Sequence, residues 1–130
     1  MENKKPDCVI KEITGEDVLR YFHWIKEINY SDITPVQCLA KCLSGEYKVY
    51  IGLNNEEVVG IVIYRIVNPT FVFVVALHGK NQVTKFRDMF YDKLKKQGVT
   101  LVRSSTTRAE ESYGRLMQME RLWTVYERVL

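Results

Sequence analysis

The sequence predicts an α/β fold: a mixed, mostly antiparallel sheet with helices on both faces, in a single domain over residues 1–130. Three observations carry this. Phe71 to Leu77 is seven apolar residues in a row, too short for a buried helix and suited to a strand covered on both sides. Directly after it, Val83, Phe86, Met89, Phe90 and Leu94 recur at helical spacing up to a stop at Gly98. Val99 to Arg103 then reads as another strand, so the two strands should run parallel with the Gln82–Gln97 helix as a right-handed crossover.

The elements follow in order. Residues 1–7, MENKKPD, are polar and expected to be flexible. Cys8 to Ile13 alternates loosely and reads as the first strand. Thr14 then caps a helix with Glu16 and Asp17 in its first turn and an apolar stripe of Val18, Leu19, Phe22, Ile25 and Ile28. Thr34-Pro35-Val36-Gln37 is a second helix start, with Thr as N-cap, Pro at the first helical position and Gln three residues after the cap. That helix ends near Gly45. Tyr47 to Leu53 and Val58 to Val67 flank the turn Asn54-Asn55-Glu56-Glu57, which predicts an antiparallel hairpin. Asn68-Pro69 turns the chain into the Phe71 strand. After Val99 to Arg103, Ser104 to Thr107 offers caps for a helix from about Arg108 to Arg121, and Trp123 to Leu130 reads as one final strand.

Composition narrows the function classes. Hydrophobic content of 46% and charged content of 27% are ordinary for a globular protein. A net charge of +3, with basic and acidic residues interleaved, gives no indication of nucleic acid as a partner. No apolar run approaches the ~20 residues that span a bilayer, so no membrane partner is expected. There is no signal-peptide core near Met1, and the three cysteines are odd in number, which points to reduced thiols in a cytoplasmic setting. Cys38 and Cys42 stand i, i+4 on a short helix. His23 and His78 are too far apart in sequence to complete a metal set, so buried structural cysteines and no metal are expected. The apolar strands Val58 to Val67 and Phe71 to Leu77 are core, with part of them available to a protein partner or to self-assembly.

The order of elements resembles the GNAT superfamily of acyl-CoA N-acyltransferases over Ile10 to Leu130. Ile10-Lys11-Glu12-Ile13-Thr14 followed by Asp17 is similar to that family's first strand and helix start, and Glu57-Val58-Val59-Gly60-Ile61 is similar to its third strand. The resemblance implies acetyl-CoA as cofactor and a CoA-pyrophosphate loop between the fourth strand and the helix after it. That loop, Q/R-x-x-G-x-G/A, falls on His78, Gly79, Lys80, Asn81, Gln82 and Val83. All three motif positions depart: His78 for Gln/Arg, Asn81 for the first Gly and Val83 for Gly/Ala. Glycine lets a phosphate approach the backbone closely, whereas β-branched Val83 adds bulk there. In a second family pattern, on the predicted helix after Ser104, Thr106, Ala109 and Tyr113 take the first three positions, with Met117 and Gln118 in place of Gly-Phe. The resemblance implies that Tyr113 would protonate the departing thiolate. No ionisable residue lies within Phe71 to Leu77 to serve as the base, and only one strand is expected after the last helix. The bend Leu77 to Lys80 with Lys85-Phe86-Arg87 also resembles small GNAT-like proteins of tailed phages, some of them virion or assembly components. The reading from sequence is therefore a GNAT-fold protein with a degenerate loop, acting as a binding or structural component with no cofactor. The alternative is an acetyl-CoA-dependent N-acetyltransferase acting on a small-molecule or protein amine.

Overall fold

A computed structural model describes residues 8–27, 33–79, 83–105, 120–122 and 125–130. Seven strands form one sheet in the order β1-β2-β3-β4-β5-β7-β6: β1 Cys8–Ile13, β2 Lys48–Asn54, β3 Glu57–Asn68, β4 Phe71–Gly79, β5 Leu101–Ser105, β6 Glu120–Leu122 and β7 Val125–Val129. Every neighbouring pair is antiparallel except β4 and β5, which run parallel as the sequence predicts. Helices α1 (Phe22–Lys26), α2 (Pro35–Leu43) and α3 (Val83–Lys96), with a 3-10 helix at Gly15–Tyr21, complete the described elements.

Two apolar layers hold the sheet. On one face α3 buries Phe86, Phe90, Tyr91 and Leu94 against Tyr50, Val62, Tyr64, Val72, Val74 and Leu77. On the other, Trp24, Ile25, Cys38 and Cys42 from α1 and α2 cover Val49, Ile51, Ile61, Ile63 and Ala76. The three cysteines are buried thiols outside any disulfide, and Cys38 and Cys42 face this second core.

The α3 face has a specific seat. Gly52 and Gly60 are direct cross-strand partners on β2 and β3. The Phe86 ring lies over both: a Cβ on Gly52 would stand 2.6 Å from its Cδ1, and one on Gly60 2.5 Å from its Cδ2. Neither position admits a side chain without moving the helix. At its other end α3 closes as expected. Gly98 takes φ +90, its N–H donates to Lys95 O at 3.0 Å, and the Val99 N–H donates to Leu94 O at 3.0 Å. These are the two bonds of a Schellman cap, with Val99 and Leu94 packed in the same core.

The capping box of α2 is present in full. Thr34 Oγ1 accepts from the Gln37 N–H at 3.1 Å, and the Thr34 N–H donates to Gln37 Oε1 at 2.8 Å. The β2–β3 turn places Asn55 and Glu56 at φ 50 and 68, the two left-handed residues of a tight primed hairpin.

Several expectations are corrected. The helix after Thr14 begins as a 3-10 segment over Gly15–Tyr21 and becomes α-helical only at Phe22. Gly15 is left-handed at φ +57, and the Asp17 N–H reaches Thr14 O rather than a capping side chain, so the chain enters in the tighter geometry. Leu19 is consequently half-exposed and not part of an apolar stripe. β5 starts two residues later than predicted, because Val99 completes the α3 cap. The helix predicted over Arg108 to Arg121 lies mostly outside the described residues, but Glu120 and Arg121 are strand. The single terminal strand is in fact the antiparallel hairpin β6–β7, in which Leu122 pairs with Val125. Trp123, Thr124 and their neighbours are all good strand formers, so nothing in the residue types marked the reversal. The sheet therefore carries both terminal strands.

Candidate functional site

The site is defined by where β4 and β5 stop pairing. Their ladder runs from Phe71↔Leu101 to Val74↔Ser104. It is fastened there by buried Ser104, whose Oγ donates to Val74 O at 2.9 Å. β4 continues to Gly79, paired only with β3 among the described residues. At the point of separation β4 carries a bulge: Ile63 pairs with Ala76 and Tyr64 with Val74, which leaves Val75 as the extra residue. The bulge reverses the alternation. Val72 and Val74 face α3 before it, and Leu77 faces α3 after it. His78 therefore falls on the opposite face, towards α1.

Sequence reasoning breaks the strand at Leu77, whereas the structure carries it through His78 and Gly79, opposite Ile61 and Gly60. The side chain of His78 is 20% exposed. Its ring meets Trp24 edge-on, with centroids 5.5 Å apart, and its Nε2 lies 3.3 Å from Glu27 Oε2. Trp24 and Glu27 come from α1 and the residue just after it. Glu27 is the functional candidate that sequence reasoning missed: it is 51 residues from His78, and no local pattern joins them. In chemical terms a carboxylate holding one imidazole nitrogen leaves the other as a proton acceptor.

α3 opens at Val83, so its free N–H groups stand at the C-terminal edge of the sheet, beside the gap between β4 and β5. Gly79 is placed at the end of β4 opposite Gly60. Lys80, Asn81 and Gln82 lie outside the described residues, as do Thr106, Ala109 and Tyr113; for Val83 only the backbone is described. One turn into α3, Arg87 is only 6% exposed and holds Asp88 through Nε at 2.9 Å and Nη2 at 2.7 Å. Among the described residues no group of three metal-ligating side chains occurs, and no helix is long and apolar enough to cross a membrane.

The sheet, ordered β1-β2-β3-β4-β5-β7-β6 with one parallel pair, and its helices have the fold of GNAT acetyltransferases of known structure. Solved structures bear this out. A probable acetyltransferase from Staphylococcus epidermidis superposes with a TM-score of 0.71 at 9% identity, over 95% of this chain and 99% of that one. Tetrahymena GCN5 gives 0.71 at 15% identity, over 93% and 95%. The PaiA N-acetyltransferase from Thermoplasma acidophilum, in complex with coenzyme A, gives 0.65 at 11% identity, over 95% and 99%. No protein-family model matches the sequence, and no curated protein matches it. At these identities the likeness is one of fold.

Proposed function

We propose that this GNAT-fold protein is a binding or structural component that does not turn over acetyl-CoA, of the kind that serves in assembly, as in a phage particle. The observation that carries this reading is the residue opening α3. Val83 stands at the helix N-terminus, where a diphosphate has to come within hydrogen-bonding distance of the backbone and where the fold's binding loop has Gly or Ala. Asn81 and His78 depart at the other two positions, and the His78 ring is drawn to the face of α1 by Glu27. The phage setting rests on the sequence resemblance around Leu77 to Leu94.

The test is a thermal-shift titration with acetyl-CoA. A ligand at 100 times its dissociation constant adds about 2.7 kcal/mol of stability, several degrees for a chain of this size. No shift at millimolar acetyl-CoA is the expected result. A saturable shift with acetyl transfer to an amine would overturn the reading.

A second reading, an N-acetyltransferase acting on a small-molecule or protein amine, is favoured by the His78–Glu27 pair. It lies just past the point where β4 and β5 separate and supplies the proton acceptor that the apolar run of β4 lacks. In that reading acetyl-CoA is the cofactor, His78 takes the amine proton and Tyr113 protonates the thiolate. His78→Gln and Tyr113→Phe would then each lower turnover at least tenfold while leaving acetyl-CoA affinity nearly intact. Unchanged turnover in either would remove that residue from the mechanism.

A further inference from the structure

β1 is an edge of the sheet, paired with β2 alone among the described residues. Its ladder with β2 runs unbroken from Cys8 to Ile13, so neither a bulge nor a proline blunts the outer side. Cys8, Ile10 and Glu12 lie on the α3 face, as partners of Asn54, Gly52 and Tyr50; Val9, Lys11 and Ile13 lie on the other. Val9 is 52% exposed, and Lys11 and Glu12 are exposed. On the α3 face a groove opens between β1 and α3, lined by Ile10 and Met89 and by Lys85, Asp88, Asp92 and Lys93. Asp88 holds Arg87, and Asp92 meets Lys96 at 3.0 Å, yet each of these aspartate side chains stays 62% exposed. Lys85 is exposed and, among the described residues, makes no ion pair.

We propose that a second copy of this chain docks along this edge, β1 antiparallel to β1, so that two sheets join into one about a twofold axis. The charges of the groove favour that occupant. Two lysines and two aspartates line it, so a uniformly acidic or basic segment would meet as many like charges as opposite ones. A copy of the same pattern, turned about a twofold axis, can meet its own complement. The strand fixes the register. A pair centred on Lys11 sets lysine against lysine, and one centred on Glu12 sets glutamate against glutamate. Centred on Ile10, Ile10 meets Ile10, Val9 meets Lys11 and Cys8 meets Glu12, with no like charges opposed. The same axis lays the two α3 helices antiparallel along the seam, with Met89, which shares the groove with Ile10, close to it. Lys85 is four residues before Met89 and Asp92 three after it, so Lys85 of one copy comes within about 1.5 Å of level with Asp92 of the other. Ile10 and Met89 of both copies form the apolar floor of the seam. On the opposite face exposed Val9 lies against the Lys11 stem. The contact goes beyond the question of acetyl-CoA turnover and stands on either reading of it.

The experiment is sedimentation velocity on the whole chain at low salt, from micromolar to millimolar concentration. The expected result is a monomer–dimer equilibrium. Val9→Lys brings a lysine opposite Lys11 of the other copy and should weaken association at least tenfold. Val9 is half-exposed, so this variant should melt like the parent at concentrations where both are monomeric. Lys85→Asp sets two carboxylates facing each other across the seam and should weaken association at least fivefold. Lys85→Asp with Asp92→Lys restores the pair with its signs exchanged and should bring the dimer back to within twofold of the parent. Both exchanges suit the helix dipole, acid towards the start of α3 and base towards its end, so α3 keeps its fold. Unchanged association in Val9→Lys, a double exchange no tighter than Lys85→Asp alone, or growth past the dimer would each overturn the proposal. A chain that stays monomeric to millimolar concentration would overturn it too and leave the groove to a partner of another sequence.

Discussion

Gly60 stands in the sequence as a strand residue of a familiar pattern; its physical reason is the Phe86 ring. Gly52, its cross-strand partner, shares the same duty, and the pairing of the two with a helix residue 26 positions later is invisible in any local window. Gly60→Ala should destabilise the fold by about 1–3 kcal/mol, since a methyl there has to displace a fully buried ring. Urea denaturation measures it, and Phe86→Leu in the same chain should recover part of the loss. Equal destabilisation with and without Phe86→Leu would mean that the ring is not what the methyl meets. Thr34→Ala removes a capping bond whose existence was fully legible from Thr-Pro-Val-Gln, and should cost about 1 kcal/mol. Buried Tyr64 has its pKa raised, first by desolvation and then by the neighbouring Tyr50, and Cys42 has its pKa raised by its hydrogen bond with Cys38 and by burial. Both groups are neutral in the native state at pH values where the unfolded chain ionises them, from about 9 for the thiol and 10 for the phenol. Their contribution is thus fully present below pH 9 and declines as the pH rises beyond it. The urea midpoint should therefore fall between pH 9 and 11, with a shallower fall for Tyr64→Phe.

At the scale of elements, periodicity decided most of the fold. The α3 stripe Phe86, Phe90 and Leu94, the Schellman stop at Gly98 and the parallel β4–β5 pair all follow from spacing and from one glycine. What spacing does not contain is the Val75 bulge. A run of apolar residues looks the same on both faces, so Phe71 to Leu77 gives no sign that the alternation flips midway. That flip is what sends His78 to α1 rather than to the start of α3. Deleting Val75 should remove the bulge while leaving Ala76 and Leu77 on the faces they now hold, since Val74, Ala76 and Leu77 then alternate regularly. The expected outcome is a chain that still melts cooperatively, with Leu77 in the α3 core. A deletion variant that fails to fold would show that Val75 is not the spare residue of the strand. The terminal hairpin was missed for a related reason: β6 and β7 are joined by residues that favour strands themselves, and only long-range pairing with β5 fixes where β7 lies.

For the whole molecule, architecture was more legible than activity. Fold follows from many residues agreeing with one another, whereas the site depends on a few residues far apart in sequence, such as Glu27 and His78, whose meeting is a product of the completed sheet. Asn81 and Val83 stand in the sequence where the resembled loop has Gly and Gly/Ala. Asn81→Gly with Val83→Gly should convert an absent acetyl-CoA response into a measurable one by calorimetry. A double variant as silent as the parent would place the obstacle elsewhere. The Phe86 seat makes that experiment interpretable. Because an aromatic wedge clamped between two bare strands locates the helix one turn in, the opening residue is not needed to aim it. The mouth of the helix can be remodelled while its bearing stays put, so this scaffold should tolerate having an anion pocket written back into it.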